Sequence, residues 1–256
     1  MLKTDEKQYH IAASRGEIGK YCLLPGDPGR CEKIAAYLEG AYHLVSNREY
    51  NIWCGYLCGE LVTVCSTGIG GPSTAIAVEE LVACGADTFI RIGTCGGLSL
   101  SVEAGDSVIA SGAVRQDGTS REYAPIEFPA VADTDTLFAL VSAARELSLP
   151  YHTGVVQSKD SFYGQHSPAR MATESALIEK WTAWKRLGVL ASEMEASTLF
   201  VVCASLGAKS GAVFMSVWNQ ERFLAGLDND SDETHDTEKA IKTAIEAIKF
   251  LIENNV

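Results

Sequence analysis

"TFIRIGTCGG", residues 88–97, sets an arginine in the middle of an apolar run. Phe89, Ile90 and Ile92 are aromatic and β-branched, the types that suit a buried pleated surface, and the glycines after them predict where the strand stops. A guanidinium there costs on the order of several kcal/mol unless an anion and hydrogen bonds compensate it. What Arg91 faces is therefore the first functional question the chain raises.

Strand-like and helix-like segments alternate on both sides of this stretch. "YCLLPG" and "ELVTVCSTG" read as strands running into glycine turns, and "RCEKIAAYLEG" brings Cys31, Ile34 and Leu38 to one helical face before stopping at Gly40. A helix over 72–84 opens with Pro72 and closes near Gly85. Downstream, "DSVIASGAVRQ" is extended and ends at the turn signal Asp117-Gly118. "TGVVQS" and "GAVFMSVW" are further strands. Helices are predicted over 134–148 and 235–252, the latter with Ile241, Ala244, Ile245, Ile248 and Ile252 in register. This alternation, with no linker or repeat, predicts a single α/β domain over residues 1–256 with a largely parallel central sheet. In such folds ligands bind beyond the carboxyl ends of strands, which directs attention to the glycine-rich segments.

Composition narrows the partners. The 256 residues carry 21 basic and 33 acidic side chains, a net charge of −12, which argues against nucleic acid or an anionic membrane. No apolar run approaches transmembrane length, and "MLKTDEKQYH" lacks the apolar core of a signal peptide. The eight cysteines form no Cys-x-x-Cys pair and several lie among apolar residues, so reduced, mostly buried thiols in a cytoplasmic protein are expected.

Three segments could gather around one anion. "LLPGDPGR" (23–30) runs from a strand through Gly26 to a helix start with Arg30 in its first turn, where a cation opposes the helix dipole unless an anion is near. "STGIGGPS" (66–73) offers three glycines and two hydroxyls ahead of a helix. Arg91 is followed by Thr94, and "SNREYN" adds Arg48. Seen alone, each is as readily a tight turn or a helix start. Together, three arginines and a threonine suit a small dianion such as phosphate, which the arginine fork binds through paired, charge-assisted bonds.

"PGDPGR", "STGIGGPS", "RIGTCGG" and "SEMEAS", in that order, resemble the type I nucleoside phosphorylase family, and within it the uridine phosphorylases. The similarity runs from about His10 to the last helix. It implies a three-layer α/β sandwich around a mixed, partly barrel-like sheet, assembled as dimers and as trimers of dimers with shared active sites. It implies phosphate held by Gly26, Arg30, Arg91 and Thr94, with Arg48 and His10 reaching in from the neighbouring subunit, the histidine toward the sugar. Glu195 then accepts the ribose hydroxyls, Met194 packs on the sugar, and Glu193 touches the ribose or shapes the site. On residues alone the two glutamates of "SEMEAS" would read as helix-start charges. Glu49, Ile69 and Ser73 match positions that carry a potassium ion at the dimer interface in some uridine phosphorylases. No other cofactor is implied besides phosphate as co-substrate.

The resemblance extends to "KDSFYGQHSP" (159–168), a base loop in which Phe162 flanks the base and the Gln165 amide pairs with adjacent C=O and N–H groups of uracil. Cys95, Gly96, His166, Asn219 and Gln220 complete the base site. Two departures stand out. Ser167 and Gln220 occupy positions where many uridine phosphorylases carry arginine, so charge on a departing uracil needs another partner. His166 is the first choice, with Lys159, Arg222 or water behind it. An asparagine at 219, where purine-type relatives place an acid, argues against adenosine. The expected activity is phosphate-dependent cleavage of uridine to uracil and ribose 1-phosphate. A purine nucleoside phosphorylase, a hydrolytic nucleosidase and a non-catalytic nucleoside- or phosphate-binding relative are the alternatives.

Overall fold

The computed structural model describes residues 6–255, and its ten strands join in one mixed sheet. The first five are β1 (Tyr21–Pro25), β2 (Glu39–Asn47), β3 (Tyr50–Leu57), β4 (Glu60–Cys65) and β5 (Thr88–Gly97). The others are β6 (Ser107–Gln116), β7 (Ala130–Val131), β8 (Tyr151–Lys159), β9 (Ala191–Glu193) and β10 (Lys209–Asn219).

Strand β5 is the hub. It lies parallel to β1 from Thr88 to Ile92 and parallel to β10 along its whole length, and its end pairs antiparallel with β9 at Gly96 and Gly97. Because β10 pairs with β6, β6 with β8 and β8 with β9, the strands β5, β10, β6, β8 and β9 close into a ring. Outside β1 the sheet opens through β4, β3 and β2, while β7 pairs with β6. The mixed, barrel-like sheet implied by the resemblance is present. The expectation of a largely parallel sheet is corrected: β2–β3–β4 is an antiparallel meander, and β6–β10 and β5–β9 are antiparallel too.

The glycines of "TFIRIGTCGG" do not end the strand. A Cβ on Gly93 would lie 2.6 Å from the Phe214 ring, and one on Gly97 2.5 Å from the Asn219 amide. These glycines let β10 side chains press onto β5, which sequence alone shows as a breaker signal.

Helices cover both faces of the sheet. In chain order they are α1 (Cys31–Ala35), α2 (Gly71–Cys84), α3 (Thr119–Tyr123), α4 (Thr134–Glu146) and α5 (Phe162–His166). There follow α6 (Glu174–Arg186), α7 (Ala196–Leu206), α8 (Gln220–Leu224) and α9 (Glu238–Glu253). Alternation along β5 sends Ile90 and Ile92 into the core shared with α1, α4 and α9, and Phe89 into the core shared with α2 and α7. Arg91 falls on the α2/α7 side. Three helices differ from expectation. Helix α1 ends at Ala35 because β2 already begins at Glu39 to pair with β3, although Leu38 is buried as predicted. As expected, β6 stops at Asp117-Gly118, and the short helix α3, which the sequence reading did not include, follows. Helix α6, none of whose residues is buried, left no apolar stripe to read.

Candidate active site

The carboxyl ends of the parallel strands β1, β4, β5 and β10 meet at one edge of the ring, and a cleft of about 930 Å³ opens there. Its lining includes Gly26, Arg30, Arg91 and Thr94. Arg91 is only 5% exposed. Its Nη2 donates to Glu195 Oε2 at 2.5 Å and its Nη1 to Thr67 Oγ1 at 3.2 Å, while Glu193 Oε2 lies 4.0 Å from Nε. Arg30 sits on a single 3₁₀ turn, Pro28–Arg30, which Asp27 caps by accepting from the Gly29 N–H at 2.8 Å. Burial, and next the charge of Arg91, lower the pKa of Arg30. Two donors, Arg30 Nη1 and Arg91 Nε, are buried without a hydrogen-bond partner among the described residues. Two cations within mutual influence, each with a buried free donor, are a combination that an anion would satisfy.

Glu195 ties two motifs together. Its Oε1 accepts the N–H of Gly70 at 2.6 Å, and Gly70 takes φ +92°, a conformation open to glycine, just ahead of α2. Two accepted bonds leave the carboxylate further lone pairs for sugar hydroxyls. Glu193 is engaged differently. Its Oε2 accepts from the Glu195 and Ala196 N–H groups at 2.8 and 2.9 Å, and its Oε1 accepts from Ser158 Oγ. It caps the start of α7, and burial, followed by the Glu195 charge, raises its pKa. Met194 lines the cleft between them.

The same cleft is also lined by Cys95, Gly96, Phe162, Gln165, His166 and Gln220. The Phe162 and His166 rings lie 4.5 Å apart, centre to centre. Burial, and next the charge of Lys159, lower the pKa of His166. Gln165 Oε1 accepts from Ser192 Oγ at 2.6 Å, and Ser192 Oγ accepts from Lys159 Nζ at 2.6 Å. Lys159 and Ser192 both line the cleft, as do Trp218 and His235. The opening motifs do not single out Ser192, Trp218 or His235; the one available signal for Ser192 is its place in "LASEMEAS", directly before Glu193.

Several predicted site residues lie elsewhere. Asn219 is fully buried, its amide donating to the Ser99 and Val102 carbonyls at 2.8 Å each, its oxygen capping α8. Its side chain is thus committed to hydrogen bonds within the fold. Arg48, with φ +56°, lies over the Tyr9 ring at 5.7 Å. His10 Nδ1 bonds to Glu80 Oε1 at 2.7 Å, and the His10 carbonyl accepts from Asn47. Arg48 is exposed and His10 half-buried, and neither is among the residues lining their own chain's cleft. Ser73 Oγ donates to Glu49 Oε1 at 2.9 Å, while Ile69, 77% exposed, stands at the cleft mouth. No group of three or more His, Cys, Asp or Glu side chains that could hold a metal occurs among the described residues. All eight cysteines are free, seven of them buried, and no helix among the described residues is long and apolar enough to cross a membrane.

A parallel-strand edge carrying two arginines, a carboxylate and an amide-bearing loop is an arrangement for holding an oxyanion beside a polar organic ligand. Residues 20–253 match the model of the phosphorylase superfamily, and the chain belongs to that family. It is 50% identical over 252 residues to the uridine phosphorylase of Treponema pallidum, covering 98% of this chain and 97% of that protein. It is 41% identical to the uridine phosphorylase of Thermococcus kodakarensis, over 96% of this chain and 87% of that one. A guanosine phosphorylase of Halorubrum lacusprofundi is 37% identical over 96% and 99% of the two chains.

Proposed function

We propose that the protein is a uridine phosphorylase, a pentosyltransferase that uses phosphate to cleave uridine into uracil and ribose 1-phosphate. The observation that carries this is the pair of buried, unpartnered donors on Arg30 and Arg91 in the same cleft as Thr94, Glu195 and Gln165. Arg30, Arg91, Thr94 and the Gly26 backbone hold phosphate in line with C1′, which supplies proximity and orientation. As the glycosidic bond lengthens, the ribose gains oxocarbenium character; the bound phosphate and the hydroxyl-accepting Glu195 carboxylate stabilise that positive charge. Phe162 flanks the pyrimidine and Gln165 pairs with its edge. Uridine consumption with and without added phosphate, reading out the sugar, tests the reaction. Ribose 1-phosphate formed only with phosphate is expected; ribose released at an unchanged rate without phosphate would mean a hydrolase instead.

Similarity to a guanosine phosphorylase keeps purines as the second candidate class. Buried Asn219, its amide spent on two carbonyls, has no proton to give a purine nitrogen. Uridine turnover well above that of inosine, guanosine and adenosine is expected.

Arg48 and His10, neither of which lines its own cleft, suit contact with a second copy of the chain, which would lend both residues to the neighbouring cleft, in a dimer or a trimer of dimers. Glu49, Ser73 and Ile69 offer oxygen donors of the kind a potassium ion prefers, though too few in one chain for a full shell, so that site too requires the second copy. Unpaired thiols fit residence in the cytoplasm.

A further inference from the structure

Glu80 lies in α2 and is only 5% exposed, with Ala77 and Cys84 one turn away on the same buried face. A carboxylate buried without partners is strongly unfavourable, so its partners identify its task. Its Oε2 accepts the backbone N–H groups of His10 and Ile11 at 2.9 and 2.8 Å, and its Oε1 accepts from His10 Nδ1 at 2.7 Å. Among the described residues the imidazole is its sole ion-pair partner. Asn47 Nδ2 holds the same residue from the other side, donating to the His10 carbonyl at 2.7 Å, and the Tyr9 ring meets the imidazole edge-on at 4.8 Å.

The oxygen of an amide would serve two backbone donors equally well. What only a carboxylate does is accept on both oxygens at once, here one for the backbone and one for the ring. The imidazole proton is thereby kept on Nδ1 and the ring is fixed about its χ angles. Nε2 is left on a side chain 31% exposed, with no hydrogen-bond partner among the described residues.

We propose that Glu80 is a positioning residue: by taking the Nδ1 proton it aims Nε2 of His10 at the 5′-hydroxyl of a nucleoside bound in the neighbouring chain's cleft. This rests on the uridine phosphorylase reading above, in which His10 meets the sugar of a second copy. One carboxylate, Glu195, spans the vicinal 2′- and 3′-hydroxyls there, which leaves the 5′-hydroxyl for the histidine. Glu80 touches no substrate. Its contribution is an imidazole already oriented before the nucleoside arrives, so that binding does not have to freeze the ring.

The test measures wild type, Glu80→Gln, His10→Ala and the double variant on uridine and on 5′-deoxyuridine. Glutamine is nearly isosteric: its oxygen can keep the backbone bonds of His10 and Ile11 while its amide N–H groups face Nδ1. Glu80→Gln is expected to lower kcat/KM for uridine about five- to tenfold, chiefly through KM, and to change that for 5′-deoxyuridine by no more than about 1.5-fold. The double variant should match His10→Ala within about 1.5-fold, since residues that act as one unit are not additive. A latch that only holds the chain together predicts equal losses on the two nucleosides, or losses that multiply in the double variant, and either result would overturn the role of Glu80. Should Glu80→Gln fail to fold, a crystal structure of the wild type with uridine and no phosphate decides. Nε2 of His10 within hydrogen-bond distance of the 5′ oxygen, with Nδ1 still on Glu80, is expected; Nε2 directed elsewhere would overturn the proposal. Wild-type turnover that ignores phosphate would overturn the parent reading instead.

Discussion

Arg91 is held by Glu195 and Thr67 and faces a second cation, Arg30, in the cleft. Arg91→Ala is expected to cut phosphorolysis about 10²- to 10³-fold or more, as loss of a transition-state donor does. It should also lower stability by about 3–5 kcal/mol, because Glu193 and Glu195 are left buried without their cation. A denaturant titration alongside the assay separates the two effects, and activity within about twofold of wild type in a folded Arg91→Ala protein would refute the role. Gln165→Ala should raise the KM for uridine about tenfold while the KM for phosphate stays put; equal changes in both would sink the base assignment. Arg30 and Arg91 stood out in the sequence because each breaks a local rule, a cation at a helix start or in a strand, beside glycines, whereas Thr94 and Glu195 drew notice only beside those arginines and through the family resemblance. At Asn219 the sequence is silent on the structural role, because an asparagine that caps a helix and bridges two carbonyls looks identical there to one that meets a ligand. Lys159 appeared only among fallback partners, since nothing in "QSKDS" says that this lysine is buried.

Among the elements, the joint where β6, α3 and α7 meet is closed by Asp117. Its carboxylate accepts from the Ser120 N–H at 2.6 Å, the Ser120 hydroxyl at 3.0 Å, the Thr198 hydroxyl at 3.0 Å and the Ser197 hydroxyl. Burial alone would raise its pKa, but the bonds from Ser197, Ser120 and Thr198 prevail and the net shift is downward. A depressed carboxyl stabilises the fold above the unfolded-state value near 3.9, and that contribution is lost as pH falls through the folded-state value. Asp117→Asn should therefore cost about 1–3 kcal/mol at pH 7, with the gap to wild type narrowing below about pH 4 in denaturant melts. A gap independent of pH would contradict the ionised bonds. Helices α4 and α9, through their apolar stripes, and α2, bracketed by Pro72 and Gly85, were readable to within a few residues. The continuation of β5 through its glycines was not, because only the Phe214 and Asn219 side chains of β10 explain why those positions lack a Cβ. The β2–β3 hairpin went unread for the opposite reason: β2 is mostly exposed and has no clean apolar alternation.

For the molecule as a whole, exposed Arg48 and half-buried His10, both outside the lining of their own cleft, predict sites completed by a second copy. Arg91→Ala and Arg48→Ala chains, each impaired alone, should recover up to about a quarter of wild-type activity when co-expressed, because half the clefts of a mixed dimer then contain neither substitution. Activity no greater than the sum of the parents would exclude a shared cleft. The two parts of the cleft lining also differ in how they are anchored. Arg91, Thr94 and Gly96 belong to a strand bonded on both sides within a closed ring, whereas Phe162 and Gln165 hang from a five-residue helix with exposed neighbours. Amide exchange in the first part should require global opening, and in the second only local fraying. Evolution inherits the same asymmetry: substitutions around α5 can retune which nucleobase is accepted while the bond-breaking apparatus stays fixed, so descendants of this chain can diversify in diet without relearning the reaction.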